Sequence, residues 1–71
     1  MRDARLNKLS ENIRIERARK KMSQYALSEK INLSTCSISA IENGWQTPSV
    51  FVVYDIAKAL EIDINSLLDR V

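Results

Sequence analysis

Apolar residues recur along the chain at intervals of three and four positions, with short polar segments between the sets. Leu6, Leu9 and Ile13 form one such set, and Leu27 and Ile31 form another. This spacing places the apolar side chains on one face of an α-helix. The chain has one glycine and one proline, and this scarcity of turn residues favours helices joined by short loops over a many-stranded sandwich or barrel.

Capping residues divide the chain into predicted helices. Ser23, Ser34, Ser49 and Asp63 each precede a helical segment and are predicted N-caps. Asn32 and Gly44 are predicted to end the second and third helices, because both tolerate the left-handed conformation that often follows a helix. The five predicted helices cover about residues 6–20, 24–31, 35–43, 50–60 and 64–70.

The fourth predicted helix begins with residues that have a low intrinsic preference for helix. Residues 50–54 are β-branched or aromatic, and alone they favour a strand. They continue directly into the strongly helical residues 55–60, and the sequence offers no partner strand that could satisfy the backbone of a lone strand. We therefore predict a helix here, and an all-α fold in a single domain over residues 1–71.

Composition argues against several classes of site. With one cysteine and no histidine, the chain is predicted to have no internal disulfide and no metal site. It has no glycine-rich phosphate loop, and its paired acids near helix ends are explained by capping, so we expect neither a cofactor nor an enzyme. No apolar run approaches the ~20 residues of a membrane span, and residues 1–5 lead into no signal-peptide core. The expected location is the cytoplasm.

Charge is distributed unevenly, although the net charge is only +2. Residues 1–21 carry eight basic and three acidic side chains, whereas residues 22–71 carry three basic and six acidic ones. The asymmetry is typical of a protein with one face for a polyanion. A solvated basic helix face explains the same pattern, so charge alone does not separate the two interpretations.

Residues 24–44 carry the clearest functional pattern. Two short predicted helices are joined by a turn of three or four residues, an arrangement in which the helices cross steeply and the second one projects. A projecting helix fits the major groove of B-DNA, which is ~12 Å wide. The N-terminal residues of such a helix meet the base edges, while the first helix lies across the backbone.

Six short motifs carry a resemblance to a known family. They are Met22-Ser23-Gln24, Asn32-Leu33-Ser34, Ile38-Ser39, Ile41-Glu42-Asn43-Gly44, Thr47-Pro48-Ser49 and Ile56-Ala57-Lys58-Ala59-Leu60. In these motifs the sequence resembles the XRE family of bacterial and phage regulators, the lambda-repressor and Cro type of helix-turn-helix domain, over about residues 9–68. The resemblance implies a compact five-helix lambda-repressor-like fold, with helices 2 and 3 forming the helix-turn-helix over about residues 24–43. It also implies a sequence-specific transcription regulator, most often a repressor, that binds double-stranded DNA at a pseudo-palindromic operator as a homodimer.

The resemblance assigns roles to individual residues. The positions that match base-facing residues of the family are Thr35, Cys36, Ser39 and Ala40. The positions that match phosphate-binding residues are Gln24, Ser34, Asn43 and Gln46. Arg17 and Glu42 match a structural ion pair that ties the first helix to the third.

The sequence departs from the family pattern at several positions. Asn32 and Glu61 stand where the family commonly has glycine, and strain is expected at Glu61. Trp45 stands where a lysine or arginine is common, so either the loop binds phosphate less strongly, or Trp45 packs on the core or on a partner. The predicted recognition helix has no outward Arg, Lys, Asn or Gln, which make the bidentate base contacts. We therefore expect packing against thymine methyl groups, hydroxyl contacts and selection by DNA shape.

Several other residues keep more than one interpretation at this stage. Phe51 is a dimer contact, a contact for another protein or additional core. Leu67, Leu68 and Val71 belong either to the core or to a two-fold interface. Cys36 is a small contact residue or a redox sensor. Two alternative functions also remain: an antitoxin-like protein that binds DNA but mainly neutralises a protein partner, and a pure protein-interaction module.

Overall fold

The computed structural model describes residues 3–71 and contains five α-helices and no strand within that range. The helices are α1 (Ala4–Arg19), α2 (Gln24–Ile31), α3 (Thr35–Glu42), α4 (Val50–Ala59) and α5 (Ile64–Leu68). The predicted all-α architecture is confirmed, and the helix boundaries differ from the prediction by at most two residues. No helix within residues 3–71 has both the length and the apolar character that crossing a bilayer requires.

Side-chain caps begin every helix. Each predicted N-cap accepts a hydrogen bond from a backbone N–H in the first turn of its helix, as expected for Ser23, Ser34, Ser49 and Asp63. The first helix begins at Ala4, two residues earlier than predicted, because Asp3 caps it by accepting from the Arg5 backbone N–H at 2.8 Å. The caps therefore set the helix starts that the apolar spacing alone leaves open.

The helical conformation of α4 follows from its buried face. Val53, Ile56 and Ala57 are at most 4% exposed, and Leu60 directly after the helix is 1% exposed. These residues are spaced three and four apart, so only a helix places them all on the core side. Tertiary burial thus overrides the strand propensity of residues 50–54.

Within residues 3–71, four residues other than glycine have a positive φ, each beyond the C-terminal end of a helix. Asn32 has φ 57° and Gly44 has φ 73°, which confirms that both end their helices in the left-handed region. Glu61 also has φ 57°, in a region that is unfavourable for a residue with a Cβ, so strain at this position remains a prediction. Lys21 and Arg70 were not predicted to adopt this conformation, and have φ 54° and 62°.

One apolar cluster forms the core between the five helices. Its fully or nearly fully buried members are Leu9, Ile13, Leu27, Ile38, Ile41, Val53, Ile56, Ala57, Leu60 and Leu67. Leu67 is 0% exposed, which corrects its candidacy as a dimer contact, because the core already covers its whole side chain.

Two buried polar side chains of α1 fasten other helices to it. The Asn12 amide donates to the backbone carbonyls of Leu67 and Asp69, both at 2.9 Å. The Ser10 hydroxyl donates to the carbonyl of Ile41 at 2.6 Å. These bonds satisfy carbonyl groups at the ends of α5 and α3, and so fix α3 relative to α1.

Candidate nucleic-acid interface

A tight turn joins α2 to α3 and sets the direction of α3. Asn32 takes the left-handed conformation, and the Leu33 N–H donates to the Ser28 carbonyl at 3.1 Å. Ser34 then caps α3, and its Oγ accepts from the Ser37 N–H at 3.0 Å. The two helices are thus connected by the short turn that the helix-turn-helix pattern predicts.

The residues predicted to face bases share one side of α3. Ile38 and Ile41 are each 1% exposed and point to the core. At 100° per residue, positions 36, 39 and 40 fall on the opposite side of the helix, and position 35 lies at the edge of that side, about 90° from the core direction. Cys36 is exposed, whereas Thr35, Ser39 and Ala40 are half-buried. The outward face of α3 is therefore made of small side chains lying close to the helix backbone.

Thr35 has a contact that the sequence pattern did not indicate. Its Oγ1 lies 3.3 Å from the Ser28 Oγ on α2, and the Ser28 hydroxyl lies 2.6 Å from the Tyr25 carbonyl, to which it donates. This contact with α2 orients the Thr35 side chain.

A buried carboxylate joins α1, α2 and α3. Glu42 is 2% exposed and accepts from the Arg17 guanidinium twice, from Nε at 2.6 Å and from Nη2 at 2.9 Å. The Gln24 amide also donates to it, at 3.1 Å. The hydrogen bonds that Arg17 donates to the Glu42 carboxylate raise the pKa of the guanidinium above its ordinary value. The geometry is that of a bidentate arginine–carboxylate pair, as expected for Arg17 and Glu42.

Gln24 was predicted to bind phosphate, and the structure places its amide in this same cluster. Its Nε2 carries two hydrogens and uses one for Glu42, so a second is left to donate. Arg14 was not singled out by the sequence, although it belongs to the basic N-terminal segment. Its Nη1 donates to the Glu42 backbone carbonyl at 2.9 Å, which brings an exposed cation to the C-terminal end of α3.

The other predicted phosphate-binding residues lie at the two ends of α3. Ser34 precedes the helix and Asn43 follows it, and both are exposed. The Asn43 amide donates to the Ser39 carbonyl at 2.9 Å and thereby caps the helix. Gln46 is exposed in the following loop, and its backbone N–H donates to the Ala40 carbonyl at 3.3 Å.

The segment around α3 carries no positive charge. Residues 31–57 contain no lysine or arginine, and their only charged side chains are Glu42 and Asp55. Exposed basic side chains outside this segment include Arg14 and Arg19 on α1, Lys20 and Lys21 just after it, and Lys30 on α2. The candidate interface thus combines a central helix without exposed charges with the exposed Arg14 cation at its C-terminal end.

The remaining candidate contacts lie outside α3. Phe51 on α4 is 78% exposed and Val71 at the end of the chain is 41% exposed, so both side chains are accessible to a partner. The exposure of Phe51 excludes its interpretation as additional core. Within residues 3–71 no three His, Cys, Asp or Glu side chains are grouped as metal ligands.

Comparisons with known proteins agree with this geometry. A family model described as helix-turn-helix, HTH_3, matches residues 13–67. A comparison with curated proteins finds no match. Among solved structures, the restriction-modification controller protein C.AhdI from Aeromonas hydrophila is 28% identical with a TM-score of 0.87, and the alignment covers 92% of this chain and 98% of that one.

Two further regulators have the same fold. A point mutant of the restriction-modification controller protein C.Esp1396I is 30% identical with a TM-score of 0.89, over 97% of this chain and 87% of that one. The clp gene regulator ClgR from C. glutamicum is 22% identical with a TM-score of 0.89, over 96% and 87% of the two chains, and this likeness concerns the fold alone. The chain therefore belongs to the HTH_3 helix-turn-helix family, which confirms its resemblance to the XRE type of DNA-binding regulator.

Proposed function

We propose that the protein is a sequence-specific transcription regulator that binds double-stranded DNA in the cytoplasm, with α3 in the major groove. The observation that carries the proposal is the division of α3 into two faces. Ile38 and Ile41 anchor one face in the core, and the bidentate Arg17–Glu42 pair fixes the end of the helix. The opposite face, with Cys36 at its exposed N-terminal end, is left for a ligand of groove width.

The base contacts we propose involve Thr35, Cys36, Ser39 and Ala40. None of these side chains is long enough for a bidentate base contact, and their small size lets the helix backbone lie close to the surface that it binds. Small apolar groups suit the thymine methyl, and hydroxyl groups suit either donors or acceptors on the bases. We therefore expect a preference for A·T steps with a strong contribution from DNA shape.

Phosphate contacts are proposed for Gln24, Ser34, Asn43 and Gln46. Ser34 and Asn43 lie at the two ends of α3, the Gln24 amide bonds to Glu42 at its C-terminal end, and the Gln46 N–H donates to the Ala40 carbonyl. None of the four is charged, so most of the electrostatic attraction is expected from the basic residues of α1, where the exposed Arg14 reaches the end of α3 by donating to the Glu42 carbonyl.

We further propose that the protein binds as a homodimer to a pseudo-palindromic operator and represses transcription. Support comes from the exposed apolar side chains of Phe51, Leu68 and Val71 on or near α4 and α5, which are 78%, 43% and 41% exposed. Leu67 is buried and therefore does not belong to the proposed dimer contacts, whereas its neighbour Leu68 does. Further support is a solved structure of the C.Esp1396I tetramer with its natural 35 base-pair operator, which is 29% identical with a TM-score of 0.81 over 94% of this chain and 99% of that one.

Selection of bound duplexes from a random DNA pool tests this proposal. The expected result is an enriched two-fold symmetric motif with half-sites ~10 bp apart, the spacing that two recognition helices of a dimer require. Replacing thymine by uracil within the motif removes only the methyl group and is expected to weaken binding at the contacted positions. Absence of any enriched sequence contradicts the proposal.

A second candidate function is neutralisation of a protein partner, in the manner of an antitoxin. The observation that favours it is the exposed apolar face of α4, where Phe51 and Tyr54 are 78% and 54% exposed. The variant Phe51→Ser separates the two functions. A regulator that uses Phe51 only to dimerise loses cooperative binding to the full operator but still binds a half-site through α3, whereas an antitoxin-like protein loses its protein partner and leaves DNA binding unchanged.

A further inference from the structure

Trp45 is a large apolar side chain that the fold leaves uncovered. It is the only tryptophan of the chain, and 70% of its surface is exposed. It directly follows Gly44, in the loop between α3 and α4. The expectation that Trp45 packs on the core is therefore wrong, and its indole ring is available to a ligand.

The backbone at Trp45 is fixed to α3. The Trp45 N–H donates to the Ala40 carbonyl at 2.9 Å, and the Gly44 N–H donates to the Ile41 carbonyl at 3.1 Å. With Gly44 at φ 73°, these two bonds form a Schellman motif. In this motif the second residue past the cap lies beside the third-last residue of the helix, so Trp45 lies beside Ala40. The loop therefore presents Trp45 next to the face of α3 that we propose contacts bases.

The chemistry of the surroundings indicates what the indole ring meets. A duplex presents a charged phosphate chain together with apolar deoxyribose rings. Residues 31–57 have no cation with which to bind those phosphates. An indole offers a flat apolar face and one N–H donor, and so can lie against a sugar while donating to the adjacent phosphate oxygen.

We propose that Trp45 binds the sugar–phosphate backbone of the DNA strand beside the bases contacted by α3. In this arrangement the ring packs on deoxyribose and Nε1–H donates to a phosphate oxygen, so that an uncharged side chain takes the place of a cation. The inference rests on the proposed function, because it requires that α3 bind duplex DNA. A protein surface is the competing occupant, and the experiments below distinguish the two.

Fluorescence of the single tryptophan reports its own environment. The full chain is titrated with the selected operator duplex, and binding is followed independently by the anisotropy of a label on the DNA. We expect the tryptophan emission to change with the same midpoint as the anisotropy. Quenching by acrylamide is expected to fall at least about twofold in the complex, since contact with DNA covers most of a ring that is 70% exposed in the free protein.

Two substitutions measure the contribution of the contact. Trp45→Ala is expected to weaken operator binding about tenfold, which corresponds to ~1.4 kcal/mol. The salt dependence of this variant is expected to stay unchanged, because no charge is lost. Trp45→Lys places a cation at the same point and is expected to steepen the slope of log K against log salt by about 0.9, the value of one phosphate contact. Because Trp45 is exposed, neither variant removes core contacts.

A matched control adds the same charge elsewhere. Asn65→Lys on α5 is exposed and raises the net charge by the same amount as Trp45→Lys, but α5 packs on α1 and α4. Its salt slope is expected to match that of the unmodified protein. An equal change of slope in both lysine variants would overturn the proposal, because net charge would then explain the effect without contact at position 45.

Other outcomes are equally decisive. If anisotropy shows operator binding while the Trp45 emission and the affinity of Trp45→Ala stay unchanged, the proposed function stands and the proposed contact fails. If emission changes with protein concentration alone and Trp45→Ala abolishes self-association, the ring packs on a second copy and the proposal is overturned. If no duplex binds, both proposals fail together.

Discussion

The Arg17–Glu42 pair offers the sharpest test of how this small fold is held together. In the variant Arg17→Met, the Glu42 carboxylate stays 2% exposed and loses both guanidinium bonds, of 2.6 and 2.9 Å. Only the Gln24 amide, at 3.1 Å, remains on the carboxylate. An ionised carboxylate in this position has neither its counter-ion nor enough water, which is the costly way to break a buried pair.

The two single variants are expected to differ in magnitude. Removing one partner of a buried pair costs ~3–5 kcal/mol, and we expect Arg17→Met to fall in this range. Glu42→Met is expected to cost less, ~1–3 kcal/mol, because the Arg17 side chain is 17% exposed and keeps its bond to the Met22 carbonyl at 2.8 Å. At ~0.05–0.15 kcal/mol per residue, a domain of this size has only ~4–11 kcal/mol in total, so Arg17→Met removes a large part of its stability.

Urea unfolding followed by circular dichroism measures these costs. The double variant Arg17→Met with Glu42→Met removes both charges together, and is expected to be at least ~1 kcal/mol more stable than the sum of the single costs implies. Arg19→Met is the matched control on the same helix. Its ion pair with Glu16 is 3.2 Å long and its side chain is 71% exposed, so a change within ~0.5 kcal/mol is expected.

Two results would refute the reasoning. If the single costs of Arg17→Met and Glu42→Met add without any coupling, the two side chains contribute through separate packing and the ion pair is not what fastens α1 to α3. If Arg17→Met costs no more than Arg19→Met, the burial of Glu42 carries no electrostatic penalty.

Three further predictions concern the backbone, a buried amide and pH. Glu61→Gly is expected to raise the free energy of unfolding by ~0.5–1 kcal/mol, because φ at this position is 57°. The control Lys58→Gly, inside α4, is expected to lower it by ~1 kcal/mol. Equal effects of the two variants in urea unfolding would contradict the strain at Glu61. Asn12→Ala is expected to lower the free energy of unfolding by ~1–3 kcal/mol, since it leaves the carbonyls of Leu67 and Asp69 without their donor. Amide hydrogen exchange is expected to become faster in α5 before it does in the other helices. A uniform increase of the exchange rate across the helices would contradict this. Hydrogen bonds from Arg5 lower the pKa of Asp3 from 3.8 to about 2, so its contribution to stability is fully present above pH 3.8 and is lost as the pH falls through about 2. A carboxyl titration by NMR that gives Asp3 a pKa near 4 would refute the cap.

The number and order of the helices could be predicted from the sequence because both depend on local signals. Ser23, Ser34 and Ser49 mark the helix starts, because each side-chain oxygen accepts a hydrogen bond from the backbone N–H three residues further on. The α4 helix was predictable only by an argument about the whole chain, since residues 50–54 favour a strand when taken alone. Its conformation is decided by the burial of Val53 and Ile56, which is a property of the fold.

The details of the candidate site were harder to predict, because they depend on residues far apart in sequence. The Arg17–Glu42 pair was expected from the family resemblance, but the Gln24 amide on the same carboxylate and the Arg14 bond to the Glu42 carbonyl were not. Leu67 was an open candidate for an interface because its spacing fits either a core or a surface helix face. Only the packing of α5 on α1 and α4 shows that it is buried.

The absence of lysine and arginine from residues 31–57 has a consequence for how such a regulator evolves. In the proposed complex, general attraction to DNA comes from α1, while the choice of sequence comes from the small uncharged side chains of α3. Exchanging Thr35, Cys36, Ser39 or Ala40 for other small residues then alters the preferred operator without altering net charge. New target sequences become accessible by single substitutions that leave the general affinity for chromosomal DNA nearly constant. Regulators of this kind can therefore diverge in sequence specificity without first losing their general affinity for DNA.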